Sequence, residues 1–152
     1  MTFKQWIEVI DNEVNFFIQE FNEDYTAEMG ADFCCYPTLG EIEWSLLIVD
    51  ESGLAFFENF YSRYKEVEDF NIFTLSLLHE LGHLETLKKM DFDSTRRRTQ
   101  GLTNEEYFNL HDEVIATDWA GTWIRENFGY AKIIDEHFSQ LLSQMWADVI
   151  TE

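Results

Sequence analysis

The chain has 152 residues, 45% apolar and 16% aromatic, which excludes a disordered composition and suits one domain with a real core. Thirty acidic residues against ten basic ones leave a net charge of −20. Such a surface repels nucleic acid and anionic membrane and attracts basic polypeptides, besides conferring solubility.

One proline and seven glycines leave no obvious linker, so residues 1–152 read as a single domain. No apolar run approaches the roughly 18 residues of a membrane span. The amino-terminal stretch lacks the basic-then-apolar order of a signal peptide, and a cytoplasmic location is the expectation. Cys34 and Cys35 are adjacent, which rules out a disulfide framework and reads as two reduced, buried or half-buried thiols.

Residues 3–22 carry Phe3, Ile7, Ile10, Val14, Phe17 and Phe21 at helical spacing, with Thr2 as N-cap. Residues 23–40 are irregular, broken by Gly30, Pro37 and Gly40, and a strand at Phe33–Tyr36 would be short. Ile42–Val49 is the best strand pattern, followed by a turn at Asp50–Gly53. The next run, from Leu54, fits both a returning strand and a helix with Leu54, Phe57, Tyr61 and Tyr64 on one face; the strand is preferred for its first half.

Phe70 to Met90 is helical, with Asp69 or Asn71 as N-cap and Lys88-Lys89 in the last turn. Residues 91–102 read as an exposed connection. Thr103 and Glu106 form a capping box that opens a helix to about Asn127, and residues 131–150 make a last amphipathic helix. About four helices and a small sheet or hairpin result, an α+β arrangement.

The helix over 70–90 contains His79-Glu80-Leu81-Gly82-His83, an HExxH motif. Residues four apart share a helix face, so both imidazoles can reach one metal ion at about 2 Å, while Glu80 reaches the water on its open position. With four histidines and 19 glutamates, chance would produce this pattern only about 0.01 times in such a chain. The surrounding helix, with Phe73, Leu75, Leu77, Leu78, Leu81 and Leu84, is apolar nearly all round and therefore a buried one. Two histidines and a glutamate inside it need partners, and a metal satisfies all three. Gly82 leaves room for another backbone to come close.

A catalytic zinc takes three protein ligands. The downstream candidates are His111, Asp112, Glu113, Asp118 and His137. On a helical wheel His111 lies about 160° and Asp118 about 140° from Glu113, and Asp112 about 100°. The face around Glu113 carries Ala116, Thr117, Ala120 and Ile124, small enough for close approach to the motif helix, whereas His111 is surrounded by Tyr107, Phe108 and Ile115. Glu113 is therefore selected as the third ligand, with His111 the runner-up.

Glu113-Val-Ile-Ala116-Thr-Asp-Trp119-Ala120 resembles the ExxAxxFA signature that follows HExxH in the ImmA/IrrE family of metallopeptidases, with Trp119 in place of phenylalanine. The resemblance runs from about Phe70 to Ile124. It implies a compact zincin-like fold of the gluzincin type, a zinc ligand at Glu113, and a peptide or protein substrate such as a basic transcriptional repressor. Zincins place an edge strand beside the metal to hold substrate backbone; Ile42–Val49 or Leu54–Phe60 would serve. Tyr61, Tyr107, His111 and His137 are the possible oxyanion donors, and none is singled out.

The expected function is thus a zinc metallopeptidase in which His79, His83 and Glu113 bind Zn2+ and Glu80 is the general base and acid. A second class of function is an acidic binding or inhibitor protein, a charge mimic, on the same scaffold. Its action would survive Glu80→Gln and weaken with salt. A purely structural zinc site is less well supported, because Cys34-Cys35 lack CxxC spacing.

Overall fold

The computed structural model describes residues 1–46, 51–87 and 101–151. Thr2 opens helix α1 (Phe3–Gln19) with a capping box: its hydroxyl accepts from the Gln5 N–H, and its own N–H donates to the Gln5 side chain. The buried stripe is Trp6, Ile10, Val14, Phe17 and Ile18. It is turned toward Trp6 relative to the expected one, because the Trp6 indole donates to Asp148 at 2.6 Å. Phe3 is consequently exposed, and Ile7 and Phe21 are half-buried.

Three short strands follow: β1 (Thr26–Met29), β2 (Cys34–Tyr36) and β3 (Glu41–Trp44). The sheet order is β1-β3-β2, with β3 parallel to β1 and antiparallel to β2. A tight connection returns β2 into β3, ending at Gly40, whose φ of +66° is left-handed and suits a residue without Cβ. The hairpin thus lies on the amino-terminal side of Ile42, not beyond Gly53 as expected. The part of the expected strand beyond Leu46 lies outside the described residues.

β1 is the strand that residues 23–40 were not expected to contain. Only Ala27 of its four residues is buried, so it carries little hydrophobic signal. It is held by Asn15 of α1, whose side chain accepts from the Ala27 N–H at 2.8 Å and donates to the Ala27 carbonyl at 2.9 Å. This covers one sheet edge and leaves β2 as the other.

The run from Leu54 is not a strand. Helix α2 spans Glu51–Arg63, so Glu51 to Gly53 are helical and not a turn. Its buried face is Phe56 and Phe60, four apart and continued by Tyr64, while Leu54 is exposed. Glu51 in its first turn and Arg63 in its last suit the helix dipole. A 3-10 turn at Lys65–Val67 leads to α3 (Ile72–Leu87). The Asn71 side chain caps α3 by accepting from the Phe73 N–H, and the Asn71 N–H donates to buried Asp135. The expected Lys88-Lys89 terminus and the connection from 91 to 100 lie outside the described residues.

The single helix expected from Thr103 to Asn127 is two. Thr103 and Glu106 form the capping box of α4 (Asn104–Phe108). Leu110 is extended (ψ 146°), and α5 begins afresh at His111 and runs to Glu126. Asn127 then separates α5 from α6 (Phe128–Thr151). The fold is α+β and mostly helical, with six helices and one three-stranded sheet among the described residues. No helix among them is long and apolar enough to cross a membrane.

α3 is the core of the molecule: every residue from Phe73 to Leu84 is buried. It crosses α5 so closely that a Cβ on Gly82 would lie 2.4 Å from the Ala116 carbonyl oxygen. That obstacle is backbone and cannot swing aside. Gly82→Ala is therefore expected to destabilise at the upper end of the roughly 1–3 kcal/mol range for overpacking. This outweighs the gain of about 1 kcal/mol from alanine's helix propensity. Urea unfolding measures it; an unchanged midpoint would contradict so close a crossing.

Candidate metal centre

The α3–α5 crossing sets the geometry of the polar cluster. One helical turn brings His79 and His83 to the same face of α3, and their rings meet edge to face with centroids 4.7 Å apart. Opposite them, Glu113 lies in the first turn of α5, where a carboxylate is favoured by the dipole. Its Oε2 is 2.7 Å from His79 Nε2 and 2.7 Å from His83 Nε2. His79, His83 and Glu113 are 3–6% exposed, and one donor atom from each lies within 4.8 Å of the others. Two imidazole nitrogens and one carboxylate oxygen, with no thiolate among them, form a set that can hold a divalent metal ion.

Of the remaining candidates, His111, Asp118 and His137 lie elsewhere. His111 is exposed at the start of α5. Asp118 turns away to a bidentate pair with Arg63 at 2.7 Å and accepts from the Tyr64 hydroxyl. His137 lies 3.0 Å from Glu13. Asp112 is buried next to the site and its charge favours protonated His83, but it is not among the converging donors.

Glu80 is 8% exposed and lines a cleft of about 240 Å³ together with His79 and Glu113. Burial pushes its carboxyl up from the ordinary range, an effect that His83 and His79 partly offset. Burial would push Glu113 up as well, yet the hydrogen bonds with His79 and His83 outweigh it and hold this carboxyl well below the usual range. For His83, burial opposes the charged form, but Glu113 and the charge of Glu80 prevail and raise it. The two carboxyl groups, Glu113 within the converging donor set and Glu80 beside it in sequence, are thus driven in opposite directions.

Several contributors were not singled out in the sequence. Thr117, one turn beyond Glu113 on the same face, places its hydroxyl 3.0 Å from His79 Nδ1. It can accept the Nδ1–H and so leave Nε2 free as a ligand. Its presence on the Glu113 face was legible, but it read only as a small residue. Phe56 packs edge-on against the His79 ring, with centroids 5.2 Å apart. Cys34 and Cys35 are both free and half-buried. Strand alternation sends Cys34 toward Glu43 (3.6 Å), while burial and the neighbouring Glu80 charge push the Cys35 thiol up, so it stays protonated and donates to Glu80. Of the four possible oxyanion donors, only Tyr107 lines the cleft.

Thr117→Val removes the Nδ1 partner without changing shape. Its metal affinity is expected to fall about 10- to 100-fold, as for other outer-shell partners of ligating histidines. Competition with a coloured chelator measures this, and an unchanged affinity would mean that Thr117 does not orient His79.

Compared with protein-family models, with curated proteins and with solved structures, the chain gives no match. A functional reading therefore stands on the chemistry of the site.

Proposed function

We propose that the chain is a zinc-dependent metallopeptidase of the gluzincin type, with His79, His83 and Glu113 as metal ligands and Glu80 as general base and acid. The observation that carries the reading is the convergence of three buried donors, two of which, His79 and Glu113, line a cleft that Glu80 also lines. The resemblance of Glu113–Ala120 to the ImmA/IrrE signature points the same way.

Bound Zn2+ would supply Lewis acidity and lower the pKa of its water to about 7. The chain's own groups do the rest. Glu113, held ionised by its two imidazole partners, suits a ligand. Glu80, pushed up by burial, suits a group that takes a proton from water in the cleft and returns it to the leaving amine. Thr117 and Phe56 fix the His79 ring from two sides. Cys35 donates to Glu80 from β2, and Phe33, just before β2, lines the cleft. β2 is an edge strand of the sheet and can offer its backbone to an extended peptide. It takes the role first assigned to Ile42–Val49 or Leu54–Phe60, since β3 is paired on both sides and Leu54–Phe60 is helical.

The substrate is a basic polypeptide on this reading. The chain carries a net charge of −20, and the described residues lining the cleft include Asp32, Glu80 and Glu113 but no lysine or arginine. The test uses unfolded histone. Zinc-loaded protein is expected to cut it, chelation to stop the cutting, and one added equivalent of zinc to restore it. Cutting that continues at full rate after complete zinc removal would contradict the proposal.

A further inference from the structure

The cleft has a second, apolar wall that holds none of the converging donors. Phe33 precedes β2, Phe56 belongs to α2, Ile72 opens α3, and Tyr107 and Phe108 end α4; all five line the cleft. The rings are braced from behind. Phe33 stands edge-on to Phe73 at 5.5 Å, Phe56 edge-on to Phe60 at 5.9 Å, and Phe108 tilts onto Phe56 at 5.6 Å. Phe33, Ile72 and Phe108 pack against the core yet remain only half-buried, so apolar surface is left beside Glu80 and His79.

The size of the cleft decides what such a wall can take. At about 240 Å³ it is smaller than the 300–1,000 Å³ of pockets that enclose whole small molecules. A cleft of that size suits part of a ligand, such as one large side chain and the adjoining amide of an extended peptide. Aromatic side chains favour the edge-to-face and tilted arrangements that these rings can extend. An acidic side chain would meet Asp32, Glu80 and Glu113, with no described cation in the lining.

We propose that this wall is a specificity pocket for a large apolar or aromatic side chain next to the scissile bond of an extended, basic peptide, with Phe108 as a determinant. The proposal rests on the reading of the neighbouring centre as hydrolytic, and its test separates the two.

Quenched-fluorophore peptides of Ala, Gly, Ser and Lys, carrying Phe, Leu, Ala or Asp at one position, are offered to the zinc-loaded full chain. The kcat/KM for the Phe and Leu peptides is expected to exceed that for Ala by about 10- to 200-fold, with Asp poorest and the cut bond adjoining Phe. Phe108→Ala is expected to narrow the Phe-over-Ala preference about tenfold; zinc content and circular dichroism show whether that variant is folded. Binding of the same peptides to zinc-loaded Glu80→Gln is followed by fluorescence anisotropy. Equal cleavage of all four peptides overturns the pocket and leaves the hydrolase standing. Selective binding of the Phe peptide without cleavage by the parent supports the pocket and overturns the hydrolase. Neither cleavage nor selective binding overturns both.

Discussion

Replacing Glu80 by glutamine is expected to lower peptide-bond hydrolysis about a thousandfold while zinc content stays at the parent level. A thousandfold corresponds to about 4 kcal/mol of transition-state stabilisation, within the range of positioned general bases. The two halves of the expectation have separate grounds. Zinc is retained because Glu80 is not one of the three converging donors. Hydrolysis is lost because an amide cannot accept the proton that the buried carboxylate would take. Folding is not expected to suffer, since burial already disfavours the charged form of Glu80 and glutamine has the same shape. Steady-state rates on the Phe peptide, with zinc measured on the same sample, decide it. A near-parental rate would place the base elsewhere, and loss of zinc would make Glu80 a ligand.

Glu113→Gln is expected to weaken zinc binding by more than the roughly 10- to 100-fold typical of outer-shell changes. Glutamine preserves volume and can still accept one hydrogen bond from the histidines, so the α3–α5 crossing is kept. What disappears is the anionic donor that His79 and His83 share at 2.7 Å each. The loss is visible in thermal unfolding as well. Free zinc at about 1,000 times its Kd stabilises a folded protein by about 4 kcal/mol, so the parent's Tm should rise with added zinc and that of Glu113→Gln should barely move. An equal rise in both proteins would remove Glu113 from the ligand set.

The parts legible in the sequence were those written in local patterns. α3 could be placed because its apolar residues cover the whole circumference, and its burial followed from that. Thr2 announced its helix as an N-cap ahead of an apolar stripe, and Thr103 did so through Glu106 three positions on. Glu113 stood out from His111 because Ala116 and Ala120 accompany it, and Gly82 indeed meets the Ala116 backbone. The expected wheel holds from His111 onward, where Glu113 and Asp118 lie, and fails for Tyr107 and Phe108, which the break at Leu110 leaves on α4.

What was not legible depends on distant partners. β1 exposes three of its four residues and is fixed by the Asn15 side chain, a contact that no window around Thr26 contains. α2 was misread because adjacent Phe56 and Phe57 satisfy a strand period and a helix period equally; the packing of Phe56 on His79 and Phe108 selects the helix. The cleft draws Phe33, Phe56, Ile72 and Phe108 from four separate segments, so its apolar wall exists only in the folded chain.

The most direct test is the metal content of the purified full chain, dialysed after exposure to zinc and measured by atomic emission beside His83→Ala. About one zinc per parent chain, and far less in His83→Ala, is the predicted result. A parent that holds well under one equivalent, or a His83→Ala variant that holds as much as the parent, would contradict a zinc centre at His79, His83 and Glu113.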